Sequence, residues 1–175
     1  MFSDPEHNIE QFNLQPGLMV ADIGAGSGFY TFAAAKAVGP EGRIYAIEIQ
    51  QDLLNKLMNQ ERTQKLSNIE GIWGDVEKLG GTKLAEESVN AVIVANILFQ
   101  VEDKQTFATE IFRILKPGGE LLVIDWSESF QGMGPSVDHV ITKDMAEPLF
   151  QSAKLEKVRE INAGAQHYGI IFRKK

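Results

Sequence analysis

Val20-Ala21-Asp22-Ile23-Gly24-Ala25-Gly26-Ser27-Gly28 is the stretch on which the reading of this chain turns. Leu18 to Ile23 is short, apolar and bounded by glycines, so it reads as a buried strand. Phe29 to Val38 carries four alanines and no breaker before Gly39-Pro40, which predicts a helix. The glycines therefore stand where a strand turns into a helix. Such a turn lets a ligand approach the backbone closely, and the helix start offers unpaired N–H groups. A tight turn whose glycines serve packing alone is the competing interpretation. Among nucleotide uses, the dinucleotide fingerprint G-x-G-x-x-G wants glycine where this chain has Phe29. Asp22, an acid two residues before the first glycine, suits instead a ligand with a cationic amino-acid end and no pyrophosphate.

The same alternation of strand and helix continues outward. A helical lead-in spans about Pro5 to Phe12, and Gln15-Pro16-Gly17 makes a turn. Arg43 to Ile49 reads as a second strand, Gln51 to Lys65 as a helix with Leu53, Leu54, Leu57 and Met58 on one face, and Ile69 to Trp73 as a third strand. Val89 to Ala95 is a fourth strand and Thr106 to Leu115 a helix that Lys116-Pro117-Gly118-Gly119 stops; Leu121 to Ile124 is a fifth strand. Asp144 to Ala153 is helical, with Pro148 expected early in the helix or at a kink. Leu155 to Ile161 and Tyr168 to Arg173 are joined by a loop too short for a crossover, so they form an antiparallel pair. This succession predicts an α/β sandwich around a mostly parallel sheet, with residues 1–175 forming one domain.

In such a sheet the carboxyl ends of the strands share one rim, where ligands bind. That rim collects Gly24, Glu48, Asp75, Asn96 and Asp125. Glu48 closes strand two, where a carboxylate accepts both hydroxyls of a ribose; nicotinamide and other nucleoside sites share the device. Ile49 is then placed to cover a face of the base, or belongs to the core. In Gly74-Asp75-Val76 an acid can accept from an exocyclic adenine amine beside a backbone N–H, although Gly-Asp alone is ordinary turn chemistry. Asn96 breaks an apolar run at the end of strand four, as a cap or as a group beside a reacting centre.

Composition narrows the rest. The 175 residues hold no cysteine, which removes disulfides, thiolate metal ligands and cysteine nucleophiles. Three histidines without HxH or HxxxH spacing argue against a metal site. The formal charge of −7, with no block of Lys or Arg, argues against nucleic acid. Met1 to Glu6 lacks the basic start and apolar run of a signal peptide, and Ala91 to Phe99 is too short to span a bilayer, so a cytoplasmic protein is expected.

Together these segments resemble the class I S-adenosylmethionine (SAM)-dependent methyltransferases. Val20 to Gly28 looks like their first motif, Arg43 to Glu48 like the ribose-binding second strand, and Gly74-Asp75-Val76 like the adenine-binding third. Val89 to Asn96 with Leu98-Phe99 is similar to the fourth. Arg113-Ile114-Leu115-Lys116-Pro117-Gly118-Gly119-Glu120-Leu121 is similar to a turn frequent in the branch containing the ubiquinone- and menaquinone-biosynthesis methyltransferases. The resemblance implies a Rossmann-like three-layer sandwich whose seven-stranded sheet has the order 3-2-1-4-5-7-6, strand seven antiparallel. It also implies SAM as cofactor, with Gly24, Gly26, Glu48, Asp75 and Val76 contacting it and the Asn96 carbonyl near its ammonium, and a small-molecule methyl acceptor; Asp22, Gly28 and Ile49 complete the expected cofactor site.

Two departures bear on the acceptor. Leu98-Phe99-Gln100 lacks the histidine that often follows strand four in that branch, and the N-terminal segment is short, which leaves room for a homo-oligomer. For a general base, His139 has the most suitable intrinsic pKa of the residues after strand five, among which Asp125, Trp126, Ser127 and Glu128 also stand. Trp126 either stacks on a flat acceptor or covers the core, and Gly132 to Pro135 is a candidate loop over the site. A SAM-binding sensor or partner subunit without transfer activity is the alternative function. A nicotinamide-dependent oxidoreductase is disfavoured by Phe29.

Overall fold

A computed structural model describes residues 3–130 and 132–175; Met1, Phe2 and Gln131 lie outside the described residues, the first two within the Met1 to Glu6 stretch that reads as lacking a signal peptide. Asp4 caps the first helix, α1 (Pro5–Phe12), by accepting from the N–H groups of Glu6 and His7. There follow β1 (Met19–Ile23), α2 (Phe29–Val38), β2 (Arg43–Glu48), α3 (Gln51–Gln64), β3 (Ile69–Trp73), β4 (Val89–Ala95), α4 (Lys104–Ile114) and β5 (Leu115–Trp126). A 3-10 turn (Val137–His139), α5 (Lys143–Ser152), β6 (Leu155–Ile161) and β7 (His167–Lys174) complete the order.

The strands form one seven-stranded sheet in the order β3-β2-β1-β4-β5-β7-β6. β1 to β5 run parallel, while β7 is antiparallel to both β5 and β6. This is the order implied by the resemblance. Side-chain alternation along each strand builds two cores. Val92, Val94, Leu121 and Val123 face α4 and α5, whereas Val20, Ala91, Ile93, Leu122 and Ile124 face α1 and α2. Because the period is two, Asp22 lies on the α2 side of β1, within reach of Thr31.

Two boundaries differ from the sequence expectation. Lys116 to Gly119 does end α4, but it does not precede the fifth strand. Leu115 already pairs with Val89, and the register then jumps to Glu120 opposite Ala91, so Lys116 to Gly119 form a bulge inside β5. A Cβ on Gly119 would approach the carbonyl of Asn90 at 2.9 Å, which is why glycine suits the place where pairing resumes. Pro148 lies in the middle of α5, on its exposed side, and not in its first turn. No helix among the described residues is long and apolar enough to cross a membrane.

Candidate active site

After β1 the chain crosses to α2 on one face of the sheet, and after β4 to α4 on the other. A crevice must open between the carboxyl ends of two neighbouring strands that part in this way. Here it is a cavity of about 600 Å³. Asp22, Gly24, Gly26, Glu48, Ile49, Asp75, Val76 and Asn96, from four strand ends, all line it.

The glycine turn is held down on β2. Gly24 and Ala25 donate their N–H groups to the Ile47 carbonyl at 2.9 and 3.0 Å, and Gly26 donates to Glu48 Oε2 at 2.9 Å. Gly24 and Gly26 have φ of 70° and 53°, and a Cβ on Gly24 would come within 2.5 Å of Ile97 Cδ1. The left-handed backbone favours glycine at position 24, and the end of the Ile97 side chain would have to shift to admit a Cβ there. Gly28 does not line the cavity; it caps α2 and packs against Phe32 and Leu57.

Glu48 is 5% exposed, and its other oxygen, Oε1, accepts from Gln50 N–H at 2.9 Å. Each carboxylate oxygen has a second lone pair, so backbone bonding leaves acceptor capacity toward the cavity. Asp22 is buried and its Oδ2 accepts the Thr31 hydroxyl at 2.5 Å. Burial pushes its pKa up to about 6, with Glu48 adding to the rise and the Thr31 bond opposing it. Asp75 behaves oppositely: hydrogen bonding to Lys78 (2.9 Å) and to Glu77 N–H draws it below the usual carboxylate range.

Asn96 takes a left-handed conformation (φ 58°), and its N–H donates to the Ile124 carbonyl at 2.8 Å. Its Oδ1 is buried and has no hydrogen-bond partner among the described residues. The loop it opens is clamped by Asp125, whose Oδ2 accepts Leu98 N–H at 2.9 Å and whose Oδ1 accepts Trp126 N–H at 2.8 Å. Asp125 is fully buried, which pushes its pKa up to about 6 against those bonds.

His139 stands apart. It is exposed, its Nδ1 lies 2.7 Å from Ser136 Oγ, and it is not among the cavity residues. Trp126 is engaged by its own chain: its ring lies 4.4 Å from that of His167, and Gly134 packs against the indole. Neither Gly132 nor Gly134 lines the cavity. Residues not singled out from the sequence do line it, notably Ser3 just before α1, Pro5 at its start, Tyr30 in the first turn of α2, and Gln100 and Val101. The only available signal was the position of Tyr30 directly behind the glycine turn.

The donor set fits SAM. Asp22, Glu48, Asp75 and Glu77 line the cavity, and no Lys, Arg or His does so among the described residues. Such a lining suits a nucleoside bearing a sulfonium and an ammonium and opposes a pyrophosphate. Asn96 Oδ1, buried without a partner, offers one more acceptor.

Comparison with known proteins agrees. The family model for a methyltransferase domain matches residues 14–165. An arsenite methyltransferase of Halobacterium salinarum is 31% identical over 112 residues, covering 64% of this chain and 28% of that protein. A ubiquinone/menaquinone biosynthesis C-methyltransferase of Hydrogenovibrio crunogenus is 33% identical over 129 residues, covering 71% of this chain and 48% of the relative. This chain thus spans about half or less of the length of these curated relatives. The crystal structure of a SAM-dependent methyltransferase from Aquifex aeolicus superposes with a TM-score of 0.90 at 26% identity, covering 99% of this chain and 91% of the other. The chain belongs to the SAM-dependent methyltransferase family.

Proposed function

We propose that residues 1–175 act as one cytoplasmic domain that transfers the methyl group of SAM to a small organic acceptor. The observation that carries this reading is the cavity laid across the glycine turn, lined among the described residues by four carboxylates and no cationic side chain. In this reading Glu48 accepts the ribose hydroxyls, Asp75 and the Val76 backbone meet the adenine edge, and Ile49 covers one face of the ring. Asp22 and the Asn96 carbonyl hold the ammonium, and Gly24 and Gly26 let the thioether chain lie against the backbone. Gly28 contributes through the turn's conformation.

When bound, SAM supplies a methyl already activated by its sulfonium. The protein's task is then alignment, and orientation supplies ~7–11 kcal/mol in favourable cases. Exposed and hydrogen-bonded to Ser136, His139 is poorly placed for base catalysis here. Alignment alone serves best for a nucleophile that needs no deprotonation, such as a stabilised carbon or an unprotonated nitrogen. The relatives' names include arsenite and quinone-pathway methyltransferases. This chain contains no cysteine, and soft centres are held by thiolates, which favours the organic acceptor.

Calorimetric titration with SAM, S-adenosylhomocysteine and NAD tests the cofactor; binding of NAD without SAM would overturn the assignment. Methyl transfer from labelled SAM across a panel of phenols, quinols and amines tests the activity. SAM binding with no product from any of them would favour the non-catalytic reading.

A further inference from the structure

We propose that Tyr30, Ser3 and Asn8 form a neutral donor site for the carboxylate at the amino-acid end of the cofactor. The proposal rests on the SAM reading of the cavity and assigns a part of it that the strand-end motifs leave unassigned. An α-amino acid carries its ammonium and its carboxylate on one carbon. Wherever the ammonium meets Asp22, a carboxylate must therefore lie beside it. A carboxylate taken out of water without donors is strongly unfavourable. Because the described residues lining the cavity include no Lys, Arg or His, uncharged donors must meet it.

Tyr30 is in the right place. It lines the cavity and stands next to Thr31, whose hydroxyl donates to Asp22 at 2.5 Å. Burial keeps the Tyr30 phenol protonated by raising its pKa, and the nearby Asp22 carboxylate adds to the effect. Ser3 lines the same cavity and lies 2.7 Å from the Tyr30 hydroxyl.

Hydrogen counting adds direction. The Asn8 side-chain amide, wholly buried, donates to Ser3 Oγ and to Tyr30 Oη at 2.9 Å each. Both hydroxyl oxygens are thus already acceptors. The contact between them consumes one of their two hydrogens, and the other remains to donate out of the triad. The buried part of the seam between α1 and α2 is otherwise apolar (Ile9, Phe12, Ala33, Ala34), with the Lys36–Glu6 ion pair at its exposed edge, so three clustered buried polar groups stand out there. The triad also makes α1 part of the binding site, since Asn8 belongs to that helix.

The test compares three ligands by calorimetry: S-adenosylhomocysteine, its decarboxylated analogue and 5′-methylthioadenosine. Tyr30→Phe keeps the ring and its packing, and Tyr30→Phe with Ser3→Ala removes both hydroxyls. The double variant is expected to bind S-adenosylhomocysteine about tenfold more weakly or worse, as for loss of a hydrogen bond to a charged group. Its affinity for the other two ligands should stay within about twofold of the parent chain. An equal loss for all three ligands, or no loss for any, would overturn the carboxylate site. If the parent chain binds none of the three, the SAM reading fails with it; if the parent binds all three and the variant shows no selectivity, only this proposal fails. Thermal melts of both variants report whether the fold is intact.

Discussion

Glu48 Oε2 accepts the backbone N–H of Gly26 at 2.9 Å, so the carboxylate that closes the second strand also fastens the glycine turn above the first. With Oε1 taken by Gln50 N–H, one side chain organises two loops and still presents two lone pairs to the cavity. Position and function are therefore coupled at this residue.

Replacing Glu48 should show both effects. Glu48→Ala removes the charge-assisted bonds proposed for the ribose and should weaken S-adenosylhomocysteine binding by ~1.5–3 kcal/mol. It also strands two backbone N–H donors and should lower apoprotein stability by ~1–3 kcal/mol. Chemical denaturation and calorimetry measure the two losses separately. Unchanged affinity in a destabilised variant would show that the ribose is held elsewhere.

Asp22 couples pH to stability and to binding in opposite directions. Its folded pKa, about 6, lies above the ordinary 3.8, so folding favours the protonated form. The stability it contributes is complete below about pH 4 and is lost as pH rises through 6. At neutral pH the cost is on the order of 3 kcal/mol. Asp22→Asn should therefore be more stable than the parent apoprotein at pH 7, with the advantage gone near pH 4. Asp125 titrates in the same range in both proteins, so the difference between them isolates Asp22. Ligand binding should run the other way: affinity of the parent for S-adenosylhomocysteine falls as pH drops through 6, and the variant lacks that step. A variant whose stability tracks the parent's at every pH would remove Asp22 as the titrating group.

The strand-end carboxylates were legible because the features that place them are local. Short apolar runs fix β1 and β4, alternation around Ile44, Ala46 and Glu48 fixes β2, and the residue ending each strand must reach the common rim. Ser3 and Tyr30 were not legible as a pair, because nothing near Pro5–Phe12 says which neighbour that helix will dock on. Only the long-range packing of α1 against α2 joins them. His139 was chosen for intrinsic pKa, a property of the side chain that carries no positional information, and the chain leaves it exposed on a short turn. The bulge in β5 escaped for a related reason. Pro117-Gly118-Gly119 breaks a helix, but only the pairing of Leu115 with Val89 shows that the sheet has already begun.

Arg113, in the turn motif before the fifth strand, has a structural task. Its Nε and Nη2 donate to the two oxygens of Glu110 at 2.7 Å each, and Nη2 also reaches the Leu84 carbonyl at 2.8 Å. Glu110 is fully buried and further accepts from Thr82 Oγ1 at 2.6 Å and Gly80 N–H at 2.9 Å. Burial alone would raise its pKa, but the Arg113 and Thr82 bonds outweigh it and hold it below the ordinary value. The cluster pins the segment after Asp75 and Val76 to α4. Arg113→Met leaves a buried carboxylate without its cation and should destabilise the fold by ~3–5 kcal/mol. Adding Glu110→Gln should restore part of that loss. Denaturation midpoints of the single and double variants decide the matter; additive losses would mean that the pair is not coupled.

Gly24 and Ile97 both line the crevice and lie against each other there. A Cβ at position 24 would lie 2.5 Å from Ile97 Cδ1 and 3.4 Å from its Cγ2, and the backbone there has φ of 70°. Gly24→Ala thus incurs two separable penalties, about 1–2 kcal/mol for the left-handed backbone and a steric one against Ile97. Ile97→Ala relieves only the second. The double variant should therefore recover stability relative to Gly24→Ala while remaining below Ile97→Ala by roughly the backbone penalty. Ile97 also belongs to the Asn96–Leu98 loop that Asp125 holds, so the steric push falls on a segment that lines the cavity. Gly24→Ala alone should lose affinity for 5′-methylthioadenosine and S-adenosylhomocysteine, and the double variant should regain some of both. Without recovery in either stability or binding, the contact between these two residues would not be what makes glycine necessary at position 24.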